Sequence, residues 1–235
     1  HLKLETFQRT GAFKIRGATN RIATLSETER EAGVVTASAG NHAQGVALAA
    51  TRIGVDSKIV MPEHAPISKI EATRNYGASV VLSGEDYDAA SERAHEIARE
   101  EGRTYVHAFD DPMVMAGQGT IGLEIYEDLP GVETVVVPIG GGGLISGIAT
   151  ALKGKDEDIR VIGVQAEGAS SVAQSLEKGE VVEREGVETI ADGIATRKVG
   201  TQTFEIIRER VDEVVTVSDS EIAVALTKLL ERSKT

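Results

Sequence analysis

Short runs of β-branched residues alternate along this chain with helix-forming segments that end at glycine. The β-branched runs predict strands, and apolar residues three or four positions apart predict helices. The predicted strands are 33–36, 58–61, 78–82, 104–107, 134–139 and 160–165, and the predicted helices are 40–53, 67–76, 86–101, 114–126, 144–153 and 218–232. Strands that alternate with helices form parallel sheets, because each parallel crossover needs a long connection. We therefore predict an α/β fold with doubly wound parallel sheets.

The turn at Asp110-Asp111-Pro112 marks a boundary in this series of elements. We predict a small inserted domain at 34–112 and a large domain that combines 1–33 with 113–235. The sequence ends soon after the last predicted helix, where a doubly wound sheet would add another strand. We therefore expect a C-terminally truncated part of a longer protein.

Composition argues against several classes of function. The formal charge is −12 and aromatic residues make up 3% of the chain, which together oppose binding to a nucleic acid. The sequence has 0 cysteines, which removes disulfides and thiolate metal sites and fits a reducing compartment. No apolar stretch approaches the ~18 residues of a membrane span. We expect a soluble, cytoplasmic protein that does not bind a membrane.

The most specific local pattern is the apolar strand ETVVVPI, followed by four glycines and the apolar helix LISGIATAL. Gly140, Gly141, Gly142 and Gly143 let main-chain amides converge on a ligand, and the N-terminus of the following helix adds a positive dipole. This pattern predicts a phosphate site. The alternative is a flexible turn, although linkers rarely join an apolar strand to an apolar helix.

A second anion site is indicated where Ser38, Ala39, Gly40, Asn41 and His42 follow a predicted strand. Serine can cap the next helix, and the amides that follow it can bind a carboxylate. Taken alone, the segment fits an ordinary capped helix better than an anion site. The histidines of the chain show no HExxH spacing, so catalytic zinc is not indicated.

One lysine, Lys14, lies among small and apolar residues in the segment TGAFKIRGA. A lysine with few polar neighbours loses hydration of its ammonium form, which lowers its pKa and frees the amine to attack a carbonyl. Schiff-base chemistry with an aldehyde cofactor requires such an amine. The alternative is an ordinary solvated lysine with an apolar stem.

A Schiff-base lysine, a phosphate site and a carboxylate site together describe a pocket for pyridoxal phosphate and an amino acid. Four motifs, TGAFKIRGA, SAGNHAQGVA, PIGGGGLISG and ETIADGIA, occur in this order. With them the sequence resembles, over essentially its whole length, the threonine dehydratase (threonine ammonia-lyase) branch of the fold-type-II pyridoxal phosphate enzymes. The resemblance implies a tryptophan synthase β-like fold and pyridoxal 5'-phosphate as the cofactor.

The resemblance also implies a role for each matching residue. Lys14 would form the Schiff base with the cofactor and then remove the α-proton of the substrate. Phe13 would flank the cofactor ring, and Asn41 would bind the ring hydroxyl oxygen. The remaining implied contacts are those of the phosphate with Gly140, Gly141, Gly142, Gly143 and Leu144, and those of the substrate carboxylate with the amides of Ser38, Ala39, Gly40, Asn41 and His42.

The reaction implied by the resemblance is β-elimination, which yields 2-oxobutanoate and ammonia from L-threonine and pyruvate and ammonia from L-serine. A homo-oligomer is expected on the same ground. Two alternatives stay open: a serine dehydratase or racemase of the same family, and a non-catalytic module that binds a phosphate ligand. Lys14 argues against the second, because phosphate binding needs no buried amine.

Three positions depart from patterns found among related enzymes. Ala39 stands where serine racemases have a second serine, so we expect elimination to dominate over racemisation. Ile15 stands where cysteine and threonine synthases usually have aspartate. Glu167 matches one ligand of a divalent cation that some members bind, but Ala173 replaces the other ligand, which argues against a dedicated magnesium site.

Overall fold

The structure, a computed structural model, describes residues 1–232. The chain divides into two compact units, His1–Gln118 and Gly119–Thr235. The first unit groups residues 1–33 with 34–118, whereas the sequence-based division joined 1–33 to 113–235. That division stays a prediction. Within the described residues, no helix is both long enough and apolar enough to cross a membrane.

The first unit contains a four-stranded parallel sheet with the order β3-β2-β1-β4. Its strands are β1 (Val34–Ala37), β2 (Ser57–Met61), β3 (Ser79–Leu82) and β4 (Thr104–Tyr105). Its helices are α1 (Lys14–Ala23), α2 (Glu27–Ala32), α3 (Asn41–Arg52), α4 (Ile67–Asn75), α5 (Tyr87–Glu101) and α6 (Pro112–Asp128), the last of which continues past the boundary of the unit.

Helices cover both faces of this sheet, which explains why its central strands are mostly apolar. Val34 packs in a cluster with residues of α1 and α3. Its neighbour Val35 points to the opposite face and packs against α5. Alternate residues of a strand point to opposite faces, so a strand covered on both sides favours apolar residues on both of its faces. All four residues of β1 are buried.

The second unit contains a three-stranded parallel sheet with the order β5-β6-β7. Its strands are β5 (Thr134–Pro138), β6 (Arg160–Ala166) and β7 (Glu213–Val217). Its helices are α7 (Gly143–Lys153), α8 (Ser171–Lys178), α9 (Thr201–Arg210) and α10 (Asp219–Arg232). Short 3-10 turns lie at Glu5–Phe7 in the first unit and at Glu167–Ala169 and Asp192–Ile194 in the second.

These two sheets confirm the predicted α/β class with parallel strands. Every predicted strand and helix is present, with ends that differ by a few residues. Glycines end α3, α4 and α5 as predicted, because Gly54, Gly77 and Gly102 have positive φ angles of 73°, 94° and 67°. The strand predicted at 104–107 is shorter, since pairing to β1 ends at Tyr105. The sequence analysis assigned no structure to α1, α2, α8, α9 or β7.

Candidate active site

Lys14 is the first residue of α1, and Phe13 is its N-cap. Close backbone contacts fix this helix. A Cβ atom on Gly45 of α3 would lie 3.2 Å from the carbonyl oxygen of Lys14, and one on Gly17 would lie 2.7 Å from the carbonyl oxygen of Val114 in α6. Glycine at these positions lets the helix backbones approach each other more closely than side chains allow. The start of α1 is therefore held in place by two neighbouring helices.

The Lys14 amine is held by a neutral partner. Nζ donates a hydrogen bond to the carbonyl oxygen of Ala108 at 2.8 Å and lies 5.3 Å from the centroid of the Phe13 ring. Burial lowers the pKa of Lys14 from 10.5 to about 8, because the ammonium form loses hydration. At pH 7 such an amine is neutral in roughly one molecule in ten, against roughly one in three thousand for an ordinary lysine.

His42 lies in the first turn of α3, and its side chain is only 3% exposed. Its Nε2–H donates to the carbonyl oxygen of Val106 at 3.0 Å, and its Nδ1 is buried with no hydrogen-bond partner in the described structure. Burial, and then the positive charge of Lys14, lower the pKa of His42 from 6.5 to about 3. The imidazole is therefore neutral across the physiological range.

His107 follows β4 and approaches the same region. Its Nδ1 accepts hydrogen bonds from the backbone N–H groups of Phe109 at 3.2 Å and Asp110 at 2.8 Å. Burial is the largest cause that lowers the pKa of His107, and the charge of Lys14 contributes to the shift. Lys14, His42 and His107 thus lie within electrostatic range of one another.

The segment 38–42 forms the turn between β1 and α3. The N-cap of α3 is Gly40, without a side-chain cap hydrogen bond, so the predicted serine cap is wrong. The Ser38 hydroxyl instead accepts from the N–H of Gly40 at 3.2 Å. Asn41 is exposed and Ala39 is half-buried. The first-turn amides of α3 have no acceptor within the helix, as an anion site requires.

The four glycines lie in the second unit, in the turn between β5 and α7. Gly142 is the N-cap of α7 with a φ of 95°, and a Cβ atom there would lie 2.8 Å from Thr203 Oγ1. A Cβ atom on Gly140 would lie 3.1 Å from the Cα of Ile194. Leu144, the next residue, is half-buried in the first turn of α7.

Helix α9 braces this glycine loop. The Thr203 hydroxyl donates to the carbonyl oxygen of Gly141 at 2.7 Å, and the N–H of Gly200 donates to the same oxygen at 3.3 Å. The Ser146 hydroxyl of α7 donates to the carbonyl oxygen of Thr203 at 3.3 Å. Because these hydrogen bonds fix the Gly141 carbonyl, the glycine loop is held in one backbone conformation and is not a flexible linker.

Glu167 is exposed in the 3-10 turn after β6, and its carbonyl oxygen accepts the hydroxyl of Ser170 at 3.0 Å. Ala173 lies on α8 and offers no ligand atom in its side chain. Within residues 1–232, no group of three or more histidine, aspartate or glutamate residues is arranged to hold a metal ion.

Comparison with known proteins identifies the family. The model of the pyridoxal-phosphate dependent enzyme family matches residues 1–235. The chain belongs to this family. It is 57% identical to an L-threonine ammonia-lyase of Thermotoga maritima over 234 residues, which are 100% of this chain and 58% of that protein. It is 50% identical to a catabolic L-threonine dehydratase of Escherichia coli, with 99% of this chain and 71% of that protein covered.

Solved structures of the family have the same fold. A processed threonine deaminase from Solanum lycopersicum matches with a TM-score of 0.97 and 44% identity, over 99% of this chain and 68% of that one. A maize serine racemase matches with a TM-score of 0.94 and 38% identity, over 99% of this chain and 72% of that one. The fold-type-II assignment is confirmed. The chain spans 58% of the length of the Thermotoga relative.

Sequence reasoning missed the groups that surround the Lys14 amine. The Ala108 carbonyl belongs to the main chain, so the residue type gives no indication of its contact with Lys14. His107 lies 93 positions from Lys14 along the chain. The motif VHAFDDP follows a strand that pairs with β1, and the carboxyl ends of neighbouring parallel strands lie at one edge of a sheet. That adjacency is the signal that could have placed His107 near the segment 38–42.

Proposed function

We propose that this chain belongs to an enzyme that deaminates L-threonine by pyridoxal-phosphate-dependent β-elimination and releases 2-oxobutanoate and ammonia. The observation that supports this most is the Lys14 amine, which is desolvated and held by a carbonyl oxygen rather than by a carboxylate. The names of the similar proteins from Thermotoga and Escherichia support threonine as the substrate.

The residues present fit the cofactor. Family membership implies pyridoxal phosphate, whose aldehyde needs a neutral amine and whose phosphate needs converging N–H groups. Lys14 offers the amine. Gly140 and Gly142 leave room that any Cβ atom would fill, and Gly142 places its backbone in the left-handed region that favours glycine. We assign the phosphate to the amides of Gly140–Gly143 and Leu144, the ring face to Phe13 and the ring hydroxyl oxygen to Asn41.

Bound pyridoxal phosphate supplies an electron sink that stabilises negative charge at the α-carbon of an amino acid. Lys14 Nζ would hold the cofactor through its amine, and the same amine would be the base that takes the α-proton of the substrate. The amides from Ser38 to His42 bind the substrate carboxylate at the N-terminus of α3. His42 stays neutral beside them, so it adds no positive charge that would further lower the basicity of Lys14.

The first test replaces the amine. We expect Lys14→Ala to lower 2-oxobutanoate formation from L-threonine and pyridoxal phosphate by at least about a thousandfold, because both bonding and proton transfer are lost. Lys178→Ala is the control, since Lys178 is exposed in the last turn of α8, and its rate should stay within about twofold. Equal product from the original chain and from Lys14→Ala would contradict the mechanism.

Serine is a second candidate substrate, supported by the structural similarity to serine racemases. Ala39 offers no hydroxyl in the turn before α3, so we expect pyruvate and ammonia from L-serine rather than D-serine. Measurement of pyruvate and of D-serine by chiral chromatography separates elimination from racemisation. The homo-oligomeric state and the cytoplasmic location remain parts of this proposal.

A further inference from the structure

The segment that holds the Lys14 amine is itself held by two histidines. At one end His42 donates to the Val106 carbonyl, and at the other His107 accepts from Phe109 and Asp110. The Ala108 carbonyl lies between these two anchors and accepts the Lys14 amine. The position of that carbonyl therefore depends on the turn that begins at His107.

The His107 turn has the hydrogen-bond pattern of an Asx turn. An asparagine or aspartate at the first position accepts backbone N–H groups two and three residues later with a side-chain oxygen. His107 makes the same two bonds with Nδ1, to residues i+2 and i+3. Because Nδ1 accepts both, it carries no proton and the ring is neutral with its proton on Nε2. Phe109 packs edge-on against the ring with a centroid separation of 4.6 Å.

A neutral acceptor matters here because of the charges around it. Four groups shift the pKa of His107 electrostatically. Lys14 and His95 lower this pKa, and the carboxylates of Asp110 and Asp111 raise it. Asp111 is ion-paired to Arg21 at 3.1 Å and also accepts N–H groups at the start of α6. His42 faces the region from α3 as a neutral ring. An aspartate at position 107 would keep the turn but add a negative charge near Lys14.

We propose that His107 is a positioning residue for Lys14: as an uncharged acceptor it forms the turn that presents the Ala108 carbonyl to the amine. The Ala108 carbonyl then orients the free Lys14 amine. The carbonyl carries no net charge that would stabilise the ammonium form, so the lone pair of the amine stays available. This inference rests on the proposed function, in which Lys14 is the amine that bonds the cofactor. It concerns the state in which Lys14 is free.

The test measures the titration of Lys14 without turnover. The chain is freed of bound carbonyl compounds, trace-acetylated at a series of pH values, and the acetylation of Lys14 is followed by mass spectrometry. The expected midpoint for the original chain is about 8. His107→Asn keeps both hydrogen bonds without charge, and its midpoint should lie within about half a pH unit of the original. His64→Asn, at an exposed histidine in the loop after β2, is the control.

Two further variants separate the turn from the charge. His107→Asp keeps the turn and adds a charge, so the Lys14 midpoint should rise by about one pH unit. His107→Leu leaves two N–H groups without an acceptor, and the water that they recruit should hydrate the amine and move its midpoint toward 10.5. The Asn and Asp variants keep the test decisive if the Leu variant does not fold.

Three results would overturn the inference. The Lys14 midpoint of His107→Leu could equal that of the original chain, the midpoint of His107→Asn could shift as in His107→Leu, or the midpoints of His107→Asp and His107→Asn could be equal. None of these results depends on threonine. A failure of the proposed function would instead appear as the absence of 2-oxobutanoate while the Lys14 titration keeps the expected pattern.

Discussion

At the scale of single residues, the region around Lys14 favours uncharged forms of basic side chains. The Lys14 amine has a carbonyl partner, and His42 is buried as a neutral ring. In both cases desolvation is the largest cause of a lowered pKa. Protein that excludes water destabilises an ammonium or imidazolium ion unless a carboxylate lies close by. The same burial that makes Lys14 reactive therefore makes this region sensitive to acid.

The acid sensitivity of His42 can be measured as stability. Its pKa is about 3 in the folded chain and about 6.5 when unfolded, so the unfolded state binds the proton first as the pH falls. Stability from neutral His42 is complete above about pH 6.5 and is lost as the pH falls toward 3. We expect this residue to lower the free energy of unfolding by about 2 kcal/mol between pH 7 and pH 5.

His42→Gln tests this expectation, because the amide can still donate to Val106 but does not titrate. Urea unfolding at a series of pH values should show a flatter pH dependence for His42→Gln than for the original chain. His64→Gln, at an exposed position, should leave the pH dependence unchanged. Parallel curves for His42→Gln and the original chain would show that His42 is not a buried neutral group.

At the scale of elements, two strand-to-helix turns carry the groups that we assign to the cofactor phosphate, the ring hydroxyl oxygen and the substrate carboxylate. The sequence predicted both turns, 38–42 and Gly140–Gly143, because a glycine-rich turn between an apolar strand and an apolar helix is a local pattern. The sequence did not predict the tertiary contacts that hold these turns in place. Helix α9 lies some sixty residues from the glycine loop along the chain, and its contact through Thr203 is a tertiary effect.

Because Gly142 lies so close to Thr203 of α9, we expect it to tolerate substitution least among the residues that we assign to the phosphate. Gly142→Ala places a Cβ atom 2.8 Å from Thr203 and forces alanine into a φ of 95°, so we expect a loss of about 3 kcal/mol in the free energy of unfolding. Gly131→Ala is the matched control, because Gly131 has a φ of 81° but nothing within 4 Å of an added Cβ atom. It should cost about 1 kcal/mol.

Urea unfolding of both variants at equal conditions separates packing from backbone strain. The difference between them measures the contact with α9, since both have the left-handed backbone. Equal losses for Gly142→Ala and Gly131→Ala would mean that the loop moves away from α9 at little cost, and the loop would not be rigid.

At the scale of the whole molecule, the fold class followed from the alternation of strands and helices, and the comparisons with known structures confirm it. Several elements were not assigned, although β7 contains a β-branched run and α2 and α8 end at glycine. Helix α1 is the clearest case, because its segment contains glycine at position 17, which weakens a helix by itself. The structure shows that this glycine is needed for the approach of α6.

The central claim is that Lys14 is the amine that bonds pyridoxal phosphate, and one measurement tests it directly. The chain is incubated with pyridoxal phosphate, reduced with borohydride to fix any imine, digested, and mapped by mass spectrometry. We predict one dominant phosphopyridoxyl adduct, on the peptide that contains Lys14, and its absence from Lys14→Ala. An adduct spread over exposed lysines such as Lys178, or undiminished in Lys14→Ala, would contradict the account.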